Sequence, residues 1–395
     1  MSRLEELIQE LCPNGVEYKK LGDIGQVKMC KRILKSQTNT IGGIPFYKIG
    51  TFGGEANSFI SKGLYEEYKE KYSYPKIGEI LISAAGTIGR TVVYDGEPAY
   101  YQDSNIVWLS HNESDVLNTF LRYCYELKPW SISSGGTIPR LYNDNILKDK
   151  IPVPPLEVQR EIVRVLDSFT LLTAELTAEL TARKKQYEYY RDKLLFSEES
   201  NVKSVPLGDI AKFVYGYTDK AKDIGSARFV RITDITEDGR LDPYNAKYIE
   251  LTTESSKYLL QKGDLLLART GATYGKTLYF DADEPAVYAS FLIKIILDNS
   301  IIKNRYYWHF SKSSLYWEQA ERYVSKGGQQ QFNTNAVSRV KVPIPSLEVQ
   351  DRIIKILDRF DALCNDISIG LPAEIEARQK QYEFYRDKLL SFKQL

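Results

Sequence analysis

The fold of this chain is decided by a stretch that occurs twice, as IPVPPLEVQREIVRVLDSF at residues 151–169 and as VPIPSLEVQDRIIKILDRF at residues 342–360. Ten of the 19 aligned positions are identical. The copies resume as RKKQYEYYRDKLLFS from Arg183 and as RQKQYEFYRDKLLSF from Arg378, with 11 of 15 positions identical. A duplication of this length predicts approximate two-fold symmetry within one chain, which suits a two-fold partner or two partners at once.

Both copies predict long helices. In the first copy, apolar or seam-compatible residues alternate in steps of four and three from Ile162 to Leu194, which is the spacing of a coiled coil. The helix is predicted to begin just after Pro154-Pro155, because proline is tolerated in a first turn. The second copy carries four extra residues at Gly370-Leu371-Pro372. This stutter predicts a kink or an interruption of the second helix.

The first helix also contains a perfect four-residue tandem. Each added unit would lengthen a helix by about 6 Å and rotate the rest of the helix by about 40°. Two turns of good helix formers explain the same residues without any function. The alternative is a ruler that sets the distance between two domains, formed by Thr173, Ala174, Glu175, Leu176, Thr177, Ala178, Glu179 and Leu180.

The blocks between the helices are duplicated more faintly. The strand-like run GEILI at 78–82 matches GDLLL at 263–267, and each run leads into a glycine loop. Short Ile, Val, Tyr and Phe runs between Gly, Asn and Asp predict strands, and aromatic stretches at 116–128 and 302–324 predict helices. The expected organisation is an α/β domain at 1–150, a long helix at 151–200, a second α/β domain at 201–341 and a distal long helix at 342–395.

Charge and composition indicate an ordinary globular protein. Hydrophobic residues make up 43% of the chain, charged residues 27%, and the net charge is +1. The positive charge is concentrated in the two blocks, at +2 for 15–150 and +4 for 201–345. That distribution is compatible with two DNA-facing blocks, although a solvated surface with modest asymmetry explains the same counts. The apolar runs are too short for a membrane span, and the N-terminal residues lack the apolar core of a signal peptide.

Cysteine and histidine usage argues against several kinds of chemistry. The four Cys have no paired spacing, so neither a disulfide framework nor a zinc site is expected, and a reducing, cytoplasmic compartment is predicted. The two His, His111 and His309, leave little for His-based acid–base or metal chemistry. We therefore expect no catalytic residue and no bound metal in this chain.

One string invites an enzymatic interpretation. Gly271-Ala-Thr-Tyr-Gly275-Lys276-Thr277 is one residue short of a phosphate-binding loop. The residues after it, Leu-Tyr-Phe-Asp, predict a strand where such a loop needs a helix N-terminus. A nucleotide hydrolase that uses Gly271–Thr277 is the weakest of the functions considered.

Polar residues cluster at matching places in both blocks, in the glycine loops and after the double glycines. Arg and Lys side chains fork to guanine, and Gln and Asn side chains to adenine, so this clustering favours contact with DNA over a set of solvated loop residues. The candidate DNA-binding residues are Lys48, Ser83, Thr87, Arg90, Thr137, Arg140, Tyr142, Arg231, Arg269, Thr270, Tyr274, Lys276, Gln329, Gln330, Gln331 and Asn333.

Together these motifs resemble the specificity subunits of Type I restriction–modification systems, over the whole length of the chain. The carriers are the two P-x-P-x-L-E-V-Q helix starts, the two K-Q-Y-E-[YF]-Y-R-D-K-L-L helix ends, the TAEL tandem and the strands that lead into glycine loops. The resemblance implies two α/β target-recognition domains, separated by two long antiparallel coiled-coil helices in a pseudo-two-fold repeat. Each domain would read one half of a split, asymmetric DNA sequence.

The resemblance also implies partners. Such a subunit is not an enzyme; it docks two methyltransferase subunits and, through that core, restriction (helicase-nuclease) subunits. No cofactor is expected on this chain, whereas S-adenosylmethionine, ATP and Mg²⁺ are expected on the partners. The high number of aromatic residues near the helix ends predicts a partner-binding surface that includes Tyr187, Tyr190, Tyr382 and Tyr385. The remaining alternative is a stand-alone DNA-binding or scaffold protein without methyltransferase partners.

Overall fold

The computed structural model describes residues 3–130, 140–196, 202–325, 330–366 and 368–395. Contacts between Cα atoms divide the chain into two compact units, of which unit 1 comprises residues 1–174 and 377–395 and unit 2 comprises residues 175–376. The predicted pair of α/β domains with long helices is confirmed by these units and their elements. None of the helices in the described ranges combines the length and apolarity that a bilayer span requires.

Unit 1 carries a four-stranded antiparallel sheet of order β2-β9-β6-β7, a second sheet of order β3-β5-β4-β8, and a two-stranded ribbon of β1 and β10. Its elements are α1 (Arg3–Leu11), β1 (Glu17–Lys20), α2 (Leu21–Ile24), β2 (Gln26–Lys28), β3 (Thr38–Asn39), β4 (Ile44–Tyr47), β5 (Phe59–Ile60), α3 (Lys62–Lys71), β6 (Ile80–Ser83), β7 (Thr91–Val93), β8 (Tyr100–Tyr101), β9 (Ile106–Ser110), α4 (Asn118–Glu126), α5 (Asn143–Lys148) and β10 (Lys150–Val153). The helix α6 (Leu156–Leu195) follows and continues into unit 2.

Unit 2 repeats this plan, with an antiparallel sheet of order β12-β18-β15-β16, a sheet of order β14-β13-β17 and a ribbon of β11 and β19. Its further elements are β11 (Ser204–Pro206), β12 (Ala211–Tyr215), β13 (Ala227–Val230), β14 (Tyr248–Ile249), β15 (Leu265–Ala268), β16 (Thr277–Tyr279), β17 (Ala286–Tyr288), β18 (Leu292–Leu297), α7 (Asn304–Phe310), α8 (Ser314–Tyr323), α9 (Thr334–Val337), β19 (Lys341–Pro343), α10 (Leu347–Asn365) and α11 (Leu371–Leu389), the last of which ends in unit 1.

The observed helix boundaries agree with those predicted from the sequence. The helix α6 begins at Leu156, directly after the two prolines, and runs for 40 residues. The predicted interruption of the second helix is confirmed, because α10 ends at Asn365 and α11 begins at Leu371. At the break, a Cβ on Gly370 would lie 2.5 Å from the carbonyl oxygen of Ala362, so a larger residue could not occupy this close turn.

The C-terminal segment belongs to unit 1 because its backbone is tied to the start of the chain. The Val16 N–H donates to the Lys393 carbonyl at 2.9 Å, and the Tyr18 hydroxyl donates to the Phe392 carbonyl at 3.1 Å. Gly15 has a φ of +116°, and a Cβ there would lie 2.3 Å from the Lys393 carbonyl oxygen. Leu390 is buried in the same core as Leu4. Each unit therefore contains the start of one long helix and the end of the other.

Candidate nucleic-acid interface

The glycine loop of unit 1 follows β6 and returns as β7. The buried Ser83 hydroxyl accepts a hydrogen bond from the Arg90 N–H at 2.8 Å and donates to the Thr87 carbonyl, which closes the loop on itself. Thr87 and Arg90 are exposed, while one guanidinium N–H of Arg90 donates to the Phe52 carbonyl at 2.8 Å. The Ser83 side chain is 2% exposed and is engaged within the loop, and its contact with DNA stays a prediction.

The glycine loops of the two units share a packing requirement. Gly89 has a φ of +78°, and a Cβ there would lie 2.5 Å from Trp130 Nε1. Gly275 has a φ of +81°, and a Cβ there would lie 3.0 Å from the Trp317 ring. Glycine is needed at both positions for the left-handed backbone and for the close tryptophan, so the duplicated loops are built in the same way.

A cleft in unit 1 brings together two of the predicted residues, Lys48 and Arg140. Its volume is about 390 Å³. Sequence reasoning missed its other polar residues because they lie on segments distant from the glycine loop in the sequence. The lining comprises four cations, a single carboxylate and several hydrogen-bonding or apolar groups, namely Arg32, Ile33, Lys35, Thr38, Phe46, Lys48, Gln102, Asp103, Ser104, Asn105 and Arg140.

The arginines of this cleft are held in place by the protein. One guanidinium N–H of Arg140 donates to the Ser104 carbonyl at 2.7 Å, and Arg32 Nε donates to Asp103 at 2.9 Å. Ser104 has a φ of +61°, an uncommon conformation for a residue other than glycine and one that functional sites often retain. A guanidinium carries five N–H donors, so an arginine anchored by one of them keeps donors for a base or a phosphate.

Unit 2 has an arginine anchored in the equivalent way. Arg269 Nε donates to the carbonyl of Ser290 at 3.2 Å, and Ser290 lies two residues before β18 just as Ser104 lies two residues before β9. The neighbours differ, since the Arg269 guanidinium lies 5.2 Å from the Tyr215 ring and 5.5 Å from the Phe291 ring. These rings are 41% and 50% exposed, so unit 2 presents aromatic surface where unit 1 presents further cations.

The residues after the double glycine of unit 2 lie beside this arginine. The Phe332 N–H donates to the Arg269 carbonyl at 2.7 Å, which places the exposed Gln330 and Gln331 next to the loop. Asn333 instead caps α9, its side chain accepting from the Ala336 N–H at 3.1 Å. Thr137 and Gln329 lie outside the described residues. Tyr142 is 54% exposed and lies 5.9 Å from the Arg140 guanidinium.

Several other candidate side chains are occupied within unit 2. Arg231 forms a paired contact with Asp234, at 2.6 Å and 3.1 Å, and Lys276 Nζ lies 2.5 Å from Glu237. Tyr274 packs against aromatic rings of its own unit. Thr270 is 3% exposed, and its contact with DNA stays a prediction.

The structure of Gly271–Thr277 differs from that of a phosphate-binding loop. Residues Gly271–Thr273 form one turn of 3₁₀-helix, and β16 follows from Thr277, paired with β15. The predicted strand is therefore present where a phosphate-binding loop needs the N-terminus of a helix. Within the described residues there is also no group of three or more His, Cys, Asp and Glu side chains placed to hold a metal ion.

The helix-end tyrosines divide into buried and exposed members. Tyr187 is 5% exposed and its hydroxyl lies 3.1 Å from His309 Nδ1, while Tyr382 is 9% exposed and hydrogen-bonds to Glu126. Both side chains are anchored within their own units, and the partner-binding surface at Tyr187 and Tyr382 stays a prediction. Tyr190 stacks on Phe360 at 5.8 Å.

The most exposed aromatic residues of the two helix ends are Tyr189 and Phe384. They are 61% and 63% exposed and occupy equivalent positions of the repeat. Tyr385 stacks on Phe169 at 5.4 Å and lies beside Phe384. Exposed aromatic side chains are enriched at protein interfaces. Tyr189 and Phe384 therefore have the exposure that an interface needs, which the buried tyrosines lack.

His309 has a structural environment rather than a catalytic one. Its side chain is fully buried between Tyr187 and Asp358, with Nε2 at 2.7 Å from the Asp358 carboxylate. Burial lowers the pKa of His309 to about 4, because desolvation of the imidazolium outweighs the hydrogen bond that Nε2–H donates to the Asp358 carboxylate. The imidazole is therefore neutral at pH 7 and belongs to the joint between the domain and α6.

A family profile described as the Type I restriction modification DNA specificity domain matches the chain twice, at residues 13–183 and 199–377. A Haemophilus influenzae protein named for a type I restriction enzyme specificity subunit is 57% identical over 180 residues, and this match spans about half of either protein, at 45% of this chain and 47% of the relative. The EcoR124I/EcoR124II specificity subunit of Escherichia coli is 36% identical over 70% of this chain and 72% of its own length.

Solved structures support the fold. The S subunit of a type I restriction–modification system from M. genitalium aligns over 96% of this chain and 97% of its own, with a TM-score of 0.55 and 16% identity. A chain from a structure of complex assembly and conformational transition in the type I R-M system aligns over 96% and 98%, with a TM-score of 0.63 and 15% identity. At these identities the likeness concerns the fold alone.

Proposed function

The chain belongs to the family of type I restriction–modification DNA specificity subunits, and we propose that unit 1 and unit 2 each read one half of a split, asymmetric DNA target. In this arrangement the cleft around Arg140 reads one half-site, and the patch around Arg269 reads the other. The length of α6 between the domains, and the tandem within it, sets the spacer.

The observation that carries this proposal is a pair of arginines held by equivalent serine carbonyls in unlike surroundings. Arg140 and Arg269 are each fixed to the carbonyl of a serine two residues before the equivalent strand. Around Arg140 the cleft is basic and contains amides, whereas around Arg269 the surface is aromatic with two exposed glutamines. An arginine fixed by one donor can fork to a guanine or hold a phosphate, and the neighbours then decide the adjoining bases. The anchoring carbonyls are equivalent, but each holds an arginine from a different segment among different neighbours, and this difference suits two different half-sites.

The proposed partners follow the repeat. Two methyltransferase subunits would dock, one at each helix end, and Tyr189 and Phe384 support this because they are exposed at equivalent positions. Restriction subunits would join that core. This chain would act without catalysing a reaction, and S-adenosylmethionine, ATP and Mg²⁺ would act on the partner subunits. The alternative of a stand-alone DNA-binding protein differs from this proposal in having no such partners.

The test is adenine methylation of DNA by the purified chain, alone and after addition of methyltransferase subunits of a type I system. We expect methylation at one bipartite sequence only when all subunits are present. Exchanging residues 15–150 for the equivalent block of a relative should change one half-site and leave the other intact. Methylation by the isolated chain, or a simultaneous change of both half-sites, would contradict the proposal, and a chain that binds DNA but neither binds nor directs these subunits would favour the alternative.

A further inference from the structure

One glutamine in each copy of the repeated L-E-V-Q segment is entirely buried and fully hydrogen-bonded. Gln159 in unit 1 is 0% exposed. Its Oε1 accepts from the Leu117 N–H at 2.9 Å, and its Nε2 donates to the carbonyls of Asp115 at 2.6 Å and Pro154 at 2.8 Å. A single side chain thus joins the entry to α6, the loop after the sheet and the start of α4.

Gln350 makes the same three contacts in unit 2 and is also 0% exposed. Its Oε1 accepts from the Lys303 N–H at 2.9 Å, and its Nε2 donates to the carbonyls of Ile301 at 2.9 Å and Pro345 at 3.0 Å. The partners correspond one to one, since each glutamine bonds a carbonyl five residues before itself and two backbone groups spaced two residues apart. The two recognition domains differ in their loops, yet this joint is the same in both.

In each unit the contact satisfies the backbone N–H of the residue that precedes a helix. Leu117 precedes α4 and Lys303 precedes α7, and neither has a side chain that caps its own helix. A helix N-terminus leaves backbone N–H groups without intrahelical partners, and a buried one needs an acceptor. In both units the acceptor comes from the long helix that follows the domain, so one amide joins the start of that helix directly to the domain.

Each domain has a second attachment to the other long helix. The Tyr382 hydroxyl of α11 reaches Glu126 at the end of α4, and the Tyr187 hydroxyl of α6 reaches His309 in α7. Loss of the glutamine contacts would leave this second attachment in place. The domain would then stay joined to the helices, but three buried backbone groups would lose their partners and the angle at the joint would be less well defined.

We propose that Gln159 and Gln350 are positioning residues that fix the angle between each recognition domain and its long helix, and thereby the fidelity with which the protein selects the spacer between half-sites. This inference rests on the proposed function of the two units. The glutamines touch no base in this scheme; they act through the orientation of the domain that does.

The experiment compares Gln159→Met and Gln350→Met with the wild-type protein. Met keeps the length and approximate volume of Gln but provides neither the amide donor nor its acceptor oxygen. Binding is measured by competition on duplexes that carry both wild-type half-sites with the native spacer, one base pair fewer or one base pair more. A wild-type protein that ignores spacer length would refute the proposed function itself. If the wild type does select its spacer, the variants test the glutamines.

For each variant we expect the preference for the native spacer to fall by at least roughly tenfold, with the base preferences inside each half-site unchanged. Gln379→Met is the matched control, because Gln379 is exposed on α11 and bonds only Glu383, at 3.0 Å; its spacer preference should equal that of the wild type. Gln159→Asn keeps the amide on a side chain one methylene shorter and should lose less of the spacer preference than Gln159→Met, which keeps the test decisive if the Met variant unfolds. Equal weakening on all three spacers, at unchanged preference, would overturn the inference and leave the glutamines a purely structural role.

Discussion

A third TAEL unit inserted after Leu180 tests whether α6 works as a ruler. The helix is continuous from Leu156 to Leu195, so the insertion falls within 40 residues of unbroken helix, about 60 Å long. The division of the chain into units falls inside the tandem, between Ala174 and Glu175. The tandem therefore spans the boundary between the units, and the insertion after Leu180 lies six residues beyond that boundary on the unit 2 side.

The magnitude comes from helix geometry. Four residues at about 1.5 Å each add roughly 6 Å, and at about 100° each they complete one turn and a further 40° or so. One base-pair step of B-DNA turns by about 35°, as 10–10.5 pairs per turn imply. We expect both half-sites to remain the same and the spacer to grow by one base pair. The added length exceeds one base-pair rise, so tilt or DNA bending has to absorb the remainder.

Mapping of methylated adenines in cells that carry the variant and its methyltransferase subunits measures the outcome directly. Insertion of a single alanine after Leu180 is the control, because a rotation of about 100° matches no single base-pair step and should abolish recognition with spacers near the native length. An unchanged spacer in the TAEL variant, or an altered half-site, would refute the ruler, since the insertion leaves both domains intact.

Three further predictions concern single side chains. Arg140→Ala should weaken specific binding by about 1–3 kcal/mol and relax the specificity at one half-site if the guanidinium reads a base. An equal loss of affinity for all sequences, with a smaller salt dependence, would indicate a phosphate contact. Competition binding at several salt concentrations separates the two outcomes. Burial lowers the pKa of His309 from 6.5 to about 4. Between these two pH values the unfolded chain binds a proton that the folded unit does not. The free energy of unfolding should therefore decrease on acidification from about pH 6.5 to pH 4. Denaturant unfolding across that range should show this slope, reduced by about one proton in His309→Gln; an undiminished slope would exclude His309 as its source. Tyr189→Ala and Phe384→Ala should each lower co-purification of methyltransferase subunits without changing the binding of DNA by the chain alone, and full retention of those subunits would remove the helix ends as a docking surface.

The placement of the candidate DNA-binding residues shows where sequence reasoning reached its limit. It located the glycine loops and the two arginines, Arg140 and Arg269, because polar residues cluster at matching places in the two blocks. It could not separate an exposed hydroxyl from a buried one in the same loop, as with Thr87 and Ser83. That distinction depends on which backbone groups the fold leaves without a backbone partner. In the loop of unit 1 the Ser83 hydroxyl hydrogen-bonds two such groups, the Thr87 carbonyl and the Arg90 N–H.

The sequence by itself determined the features that are written in local periodicity: the duplication, the start of α6 after Pro154-Pro155, the break before Leu371 and the strand that comes after Gly271–Thr273. These features result from backbone preferences and from apolar spacing over a few turns. Only the tertiary structure decided that the end of α11 belongs with unit 1, and that Gln159 caps a helix 42 residues away. Such contacts join groups distant in sequence, and they are fixed by the need to satisfy buried polar atoms once the chain is folded, which no local pattern records.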